Sequence, residues 1–196
     1  MDWDERYSEP GFLYGTAPNE FLASVVDRIP KGKILSLGEG EGRNAVYLAS
    51  RGYDVTGVDG SEVGLRKAAE LAAERGVTIT TIHADLSGFK VGQEQWDGII
   101  ASYCHVPSAI RIPLHQAAVR ALKPGGLFVL EAYSKEQLAY NTGGPQSLDM
   151  LMSLDELKQE LAGLEFLHAV QMEREVREGS RHTGLASVVQ VLGKKP

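Results

Sequence analysis

Strand-length and helix-length apolar segments alternate along the chain from Lys33 to Ala132, and no other feature restricts the fold as much. Lys33–Leu37 (KILSL) is a short apolar run bounded by glycines, with the length of a buried strand. From Gly42 to Arg51 the period turns helical. Ala45, Val46, Leu48 and Ala49 share a face, and Gly52 is a good terminator. Asp54–Val58 is a second strand. Ser61 caps a helix through about Arg75 that turns Leu65, Ala68, Ala69 and Ala72 inward. The β-branched run Thr78–Ile82 is a third strand, and Trp96–Ser102 contains a fourth. A helix with Pro113 in its first turn, carrying Leu114, Ala117, Ala118 and Ala121 on one side, leads to a fifth strand at Gly126–Ala132. Such alternation builds βαβ units: an α/β fold with a doubly wound, mostly parallel sheet and helices on both faces.

The flanks differ. Pro18–Ile29 places Phe21, Leu22, Val25, Val26 and Ile29 at helical spacing. Ser153–Leu161 reads as a helix. Leu164–Met172 and Leu185–Leu192 read as strands around the charged segment Glu173–Gly184. Two strands with no helix between them pair most easily as an antiparallel hairpin. The 196 residues are most simply one domain. Twenty Lys and Arg against 26 Asp and Glu give a net charge of −6, which argues against a nucleic-acid surface. The acidic start MDWDERYSEP has no signal-peptide character, no apolar run approaches the ~20 residues of a membrane span, and Cys104 is a lone cysteine. Together these predict a soluble, cytoplasmic protein.

Chemistry enters at Leu35–Asn44, LSLGEGEGRN, directly after the first strand. A strand, a tight glycine turn and a helix place a ligand at the strand's carboxyl end. The dinucleotide fingerprint G-x-G-x-x-G is broken, because Arg43 holds its third glycine position and Gly42 comes one residue early. Glu39 and Glu41 would also repel a pyrophosphate. A ligand with an ammonium and a sulfonium has no such objection, and S-adenosylmethionine is that ligand. Asp59 ends the second strand, where an acid accepts from both ribose hydroxyls. Asp85, in His83–Leu86 (HADL), can accept from an adenine amino group with Leu86 against the ring.

ILSLGEGEG, GVDGS, HADL, WDGIIAS and LKPGG resemble, in order, the motifs of class I S-adenosylmethionine-dependent methyltransferases. WDERY, YGTAPNEFL and GRNAVYLASRGYDVTGVD are similar to the tellurite-resistance and thiopurine subgroup. The resemblance implies a Rossmann-like seven-stranded sheet. It also implies a lid and helix over 1–30, a cofactor core over 31–133, and an acceptor-side loop, helix and final hairpin over 134–196. It assigns Gly38, Glu39, Gly40, Arg43, Asn44, Asp59, Gly60, Asp85, Leu86 and Ser102 to the cofactor. The family often has an acid two residues before the first glycine, where this chain has Ser36.

Methyl transfer from a sulfonium is an in-line displacement, so the protein chiefly supplies proximity. The chain lacks the N/D-P-P-Y/F tetrapeptide of many nitrogen methyltransferases. That absence and the subgroup resemblance point to a small acceptor with a soft sulfur, selenium or tellurium nucleophile. Tyr7, Tyr14, Tyr103, Arg174 and His182 are candidate acceptor contacts, and Arg177 and Arg181 join Arg174 near the expected hairpin tip. No catalytic residue is evident. His105 is the one candidate base, and adjacent Cys104 faces the other way on an extended chain. No metal ligand set is expected. A nucleotide-linked oxidoreductase and a non-enzymatic binder of S-adenosylmethionine are the alternatives, and the oligomeric state is open.

Overall fold

The computed structural model describes residues 3–179 and 182–196. Seven strands form one sheet: β1 (Lys33–Leu37), β2 (Asp54–Asp59), β3 (Thr80–His83), β4 (Trp96–Ser102), β5 (Leu122–Tyr133), β6 (Glu165–Glu178) and β7 (His182–Lys194). Their order is β3-β2-β1-β4-β5-β7-β6. The first five run parallel, while β7 is antiparallel to both β5 and β6. Among the described residues six α-helices accompany them: α1 (Trp3–Tyr7), α2 (Glu20–Val25), α3 (Arg43–Ser50), α4 (Glu62–Glu74), α5 (Ser108–Ala121) and α6 (Leu154–Glu160). Among the described residues no helix is long and apolar enough to cross a membrane.

The strands split their side chains between two cores by simple alternation. Leu35, Leu37, Ile99, Phe128 and Leu130 pack with Leu114 and Ala118 of α5 and Leu157 of α6. Ile34, Ile100, Leu127 and Val129 pack on the other face with Phe21, Leu22 and Val25 of α2 and with Ala45 and Leu48 of α3. Ser61 caps α4 as expected, its Oγ accepting from the Gly64 N–H at 3.0 Å.

Several boundaries differ from expectation: β5 begins at Leu122 rather than Gly126, and the helix expected over Pro18–Ile29 is α-helical only over Glu20–Val25, with a 3-10 turn at Val26–Arg28. Pro113 lies inside α5, because that helix begins at Ser108. The start is held from outside: the Asp149 carboxylate accepts from the Ser108 N–H at 3.0 Å and from its hydroxyl. A cap supplied from 41 residues away leaves no local signal. The third strand starts two residues late, at Thr80, on an exposed edge. The final hairpin is much longer than the apolar runs, with β6 and β7 continuing into the charged segment to a Glu178–His182 pair. Val176 and Glu178 point inward there and Glu175 and Arg177 outward, so the pleat persists where the hydropathy pattern ends.

Candidate functional site

The chain crosses from β3 to β4 on the opposite side of β1, so strand order reverses between β1 and β4. In open α/β sheets the ligand crevice lies at the carboxyl ends of the strands at that reversal. The glycine turn opens there. Gly40 and Gly42 adopt φ of 60° and 93°. A Cβ on Gly42 would sit 2.6 Å from the Ala68 Cα, and one on Gly40 would sit 2.5 Å from the Tyr7 hydroxyl. The glycines therefore allow α4 and α1 to close on the turn.

The two glutamates have separate jobs. Glu39 folds beneath the turn, accepting from the Ser36 hydroxyl and from the Ala45 N–H at 2.9 Å. Burial pushes its carboxyl pKa upward. It fills space that Gly57 leaves open, since a Cβ there would meet the Glu39 Cγ at 3.0 Å. A carboxylate three residues later thus sits against Ser36. Glu41 is an anchor for the N-terminal segment: it accepts from the Leu13 N–H at 2.8 Å and pairs with Lys67 at 2.9 Å. Asp59 is buried, and burial raises its pKa. One of its oxygens accepts from the Gly40 N–H and the other from the Ser61 N–H, both at 2.8 Å. Each oxygen keeps lone-pair capacity for a second donor. Asp85 is exposed and accepts from the Ser87 N–H at 2.8 Å, with half-buried Leu86 packed on the core beside it. A Cβ on Gly60 would meet only the Ala84 carbonyl oxygen, at 3.9 Å.

The N-terminus forms a cover. The Asp4 carboxylate accepts from the Ser61 hydroxyl at 2.5 Å and the Val63 N–H at 3.2 Å, which ties α1 to the start of α4. Tyr7 is buried against the glycine turn. Ring contacts then run without a break: Trp3–Tyr7 at 5.4 Å, Tyr7–Tyr14 at 6.5 Å, Tyr14–His182 at 4.4 Å, His182–Tyr103 at 4.6 Å and Tyr103–Tyr133 at 4.8 Å. They cluster beside the glycine turn, at the carboxyl ends of β4 and β5 and the start of β7. Five buried polar atoms there have no hydrogen-bond partner: Arg43 Nη1, Ser102 Oγ, Tyr103 Oη, Tyr133 Oη and His182 Nδ1. Tyr103 holds a strained φ of 51°. Buried groups are normally satisfied, so this concentration of orphans makes the region a candidate ligand site.

Residues 34–126 match the methyltransferase domain family. The chain is 30% identical over 145 residues to a 2-heptyl-1-hydroxyquinolin-4(1H)-one methyltransferase of Mycobacteroides abscessus, covering 72% of this chain and 64% of that protein. It is 36% identical over 70 residues to the probable S-adenosyl-L-methionine-dependent methyltransferase TehB of Haemophilus influenzae, covering 36% of this chain and 24% of TehB. The TehB crystal structure superposes with a TM-score of 0.75 at 21% identity, over 99% of this chain and 66% of that one. A structure concerning conversion of a disulfide bond into a thioacetal group during echinomycin biosynthesis also gives 0.75 at 21% identity, over 98% and 88%. Residues 34–126 thus form a methyltransferase domain, and the chain is similar to S-adenosylmethionine-dependent methyltransferases. It spans less than two thirds of the length of these two curated relatives.

The remaining candidates fall differently in this chain. His105 has no free ring nitrogen. Nδ1 donates to the Met150 carbonyl at 3.0 Å, and Nε2 accepts from the Tyr133 N–H at 3.3 Å. Burial lowers its pKa to about 4. Cys104 packs against Gly38, and burial pushes its thiol up to about 12. Arg174 is not at a solvated tip. Its guanidinium donates to Glu131 at 2.7 and 2.9 Å and to Glu20 at 2.7 Å. Asn19 joins the same network, donating to Glu131 and, at 2.8 Å, to Glu178. Arg177 is exposed and Arg181 lies outside the described residues. Asn44 receives the Asn19 N–H at 2.9 Å, which binds the segment before α2 to α3.

Sequence reasoning missed Tyr133, Glu131 and Glu178. Tyr133 had a signal, as the last residue of a parallel strand beside the reversal point. The glutamates had none, being charged residues inside strands that pair with partners far away in the chain. A polar cleft of about 400 Å³ between α5, α6 and the 148–150 turn shares none of the ring cluster's residues. Its charges pair internally, with Arg111 on Glu160 at 2.9 Å and Lys135 on Glu156.

Proposed function

We propose that the protein transfers the methyl group of S-adenosylmethionine to a small acceptor that reacts without a general base, with soft sulfur, selenium or tellurium nucleophiles the leading class. The cofactor supplies an electrophilic methyl on a sulfonium, so the chain's task is to bind and orient. Asp59 is placed to take the ribose hydroxyls and Glu39 the methionyl ammonium, ordered from behind by Ser36. Asp85 and Leu86 flank the adenine side, and residues 1–30 act as the lid. The region beside Ser102, Tyr103 and Tyr133 receives the acceptor. The net charge of −6 supports a small molecule over a nucleic acid. The single, buried, unpaired cysteine supports a reducing, cytoplasmic setting.

One observation carries the base-free reading: the histidines and tyrosines of the ring cluster, His105, His182, Tyr103 and Tyr133, are buried and held neutral. His105 sits at about 4 and His182 at about 3, while Tyr103 and Tyr133 are pushed upward by burial and by Glu131 and Glu178. Imidazoles so depressed are weak bases, and such phenols do not ionise near neutral pH. An acceptor that arrives ionised fits this environment. The thioacetal chemistry named for one structural neighbour is in keeping with a sulfur nucleophile. The ring-lined wall and the hydroxyquinolinone relative support a second reading, a flat acceptor with an acidic hydroxyl.

The test is a panel of thiols, selenols, tellurite, hydroxyquinolinones, amines and carboxylates, read as S-adenosylhomocysteine formation. Turnover is expected with acceptors whose nucleophile is ionised at neutral pH. Preference for an amine or an alcohol would overturn the base-free reading, and no turnover with any acceptor would favour a non-enzymatic binder.

A further inference from the structure

β5 leaves the sheet before β7 does. Their pairing ends with Tyr133 opposite Val188, while β7 runs back to His182, so the first residues of β7 have no strand on their β5 side. Side chains take the vacated ladder positions. The side-chain oxygen of Gln137, in the 3-10 turn Lys135–Ala139, accepts from the Ser187 N–H at 2.9 Å. Its Nε2 donates to the Thr142 hydroxyl at 3.0 Å and to the Gly143 carbonyl at 3.2 Å. The Thr142 hydroxyl in turn donates to the Leu185 carbonyl at 2.7 Å. Gln137 is only 2% exposed, and both ends of its amide are engaged. A buried amide satisfied in this way holds one orientation, and it fixes the segment it grips.

That segment rests on Tyr133. A Cβ on Gly144, at a φ of 88°, would lie 2.7 Å from the Tyr133 Cδ2, so the backbone there touches the ring directly. The far end of the segment is tied to the same residue. His105 takes the Tyr133 N–H and donates to the Met150 carbonyl, and the Met152 N–H donates to the Tyr133 carbonyl at 3.1 Å. The Tyr133 side chain is buried, its hydroxyl has no partner, and its ring meets Tyr103 and His182. Residues 140–150 are therefore a strap, pinned at both ends, against one wall of the proposed acceptor region.

We propose that Gln137 and Thr142 are positioning residues for the acceptor. They seat the strap on β7, the strap sets the Tyr133 ring, and the fixed ring favours flat acceptors over compact ones. Neither side chain touches the acceptor; both act by preorganising the residue that does. The inference rests on the acceptor placement proposed above.

Thr142→Val keeps the side-chain shape and removes the hydroxyl that links Gln137 to Leu185. Gln137→Glu keeps an oxygen for Ser187 and removes both donors; Thr142 is half-buried and serves if the Gln137 variant fails to fold. The measurements are kcat and KM with thiophenol and with 2-mercaptoethanol, S-adenosylhomocysteine affinity by calorimetry, and amide exchange over 140–150. Exchange over the strap is expected to quicken, and the thiophenol KM to rise roughly 5- to 30-fold, the worth of one or two lost hydrogen bonds. The 2-mercaptoethanol KM and S-adenosylhomocysteine affinity stay within about threefold, because hydrogen bonds that only seat the strap do not reach them. Thr142→Ser, which keeps the hydroxyl, restores the thiophenol KM. Equal weakening of both thiols and of S-adenosylhomocysteine makes the strap a general brace and overturns the proposal. Unchanged exchange, or an unchanged thiophenol KM, overturns it as well. A wild type that binds S-adenosylhomocysteine and methylates neither thiol overturns the soft-nucleophile reading, and this inference with it.

Discussion

Asp59→Ala removes one carboxylate with two tasks, and the structure separates their sizes. In the folded chain it accepts the Gly40 and Ser61 N–H groups at 2.8 Å each, and it is 8% exposed. A hydrogen bond to a buried charged group contributes about 1.5–3 kcal/mol, and the orphaned donors add a desolvation cost, so destabilisation of about 3 kcal/mol is expected. For a chain of this length each kcal/mol moves the melting temperature by roughly 2–4 °C, which gives a fall of about 6–12 °C. The remaining lone pairs are the ones assigned to ribose. Their loss should weaken S-adenosylhomocysteine by roughly 10- to 150-fold beyond any effect of unfolding. Calorimetry well below the variant's melting temperature, paired with a thermal melt, reads both quantities on one sample. Wild-type affinity with a lowered melting temperature would reduce Asp59 to a brace for the turn. An unchanged melting temperature would refute the hydrogen-bond account itself.

Gly42→Ala should unfold or severely destabilise the protein, because its Cβ would lie 2.6 Å from the Ala68 backbone at a φ of 93°; a melting temperature within about 2 °C of wild type refutes this. Arg174→Met strands the Glu131 carboxylate, whose side chain is fully buried, with only the neutral donors Asn19 and Gln190; a loss of about 3–5 kcal/mol in denaturant melts is expected. His105 and His182 are held neutral in the fold at about 4 and 3 against an ordinary 6.5, so only the unfolded chain takes up their protons between those values. Stability is therefore full above pH 6.5 and falls as pH drops toward 4, by about 1.4 kcal/mol per pH unit for each histidine, and His182→Gln should flatten that slope in melts from pH 7 to 5.

What the sequence carried was whatever the chain writes locally. Helical period, the presence and order of the strands and the Ser61 cap are decided within a few residues, and these fall where the residues put them, while several strand ends do not. The glycine turn was legible for the same reason: close approach and positive φ leave a mark at Gly40 and Gly42 themselves. The charged interior of the hairpin left no such mark. Glu178 looks like one more solvated acid in EREVREGSRHTG, and its burial is decided by Arg43, which lies 135 positions away. Glu131 interrupts an apolar strand and reads as a lone exception until Asn19, Arg174 and Gln190 are brought against it.

The same network explains why acceptor-side residues were harder to place than cofactor-side ones. The residues proposed for the cofactor sit at successive strand ends, an ordered series that is legible in sequence. The proposed acceptor side draws instead on α1, the segment around Tyr14, the ends of β4 and β5, and the start of β7. The aromatic contact from Tyr14 to His182 joins two of these across most of the chain length. A Cβ on Gly179 would meet the Tyr14 Cα at 2.5 Å, so the hairpin turn and the N-terminal cover are in contact as well. On the proposed reading the acceptor wall therefore depends on the N-terminal cover and the hairpin together. Substitutions at either should alter acceptor KM before they alter cofactor affinity, whereas those at Asp59 should do the reverse.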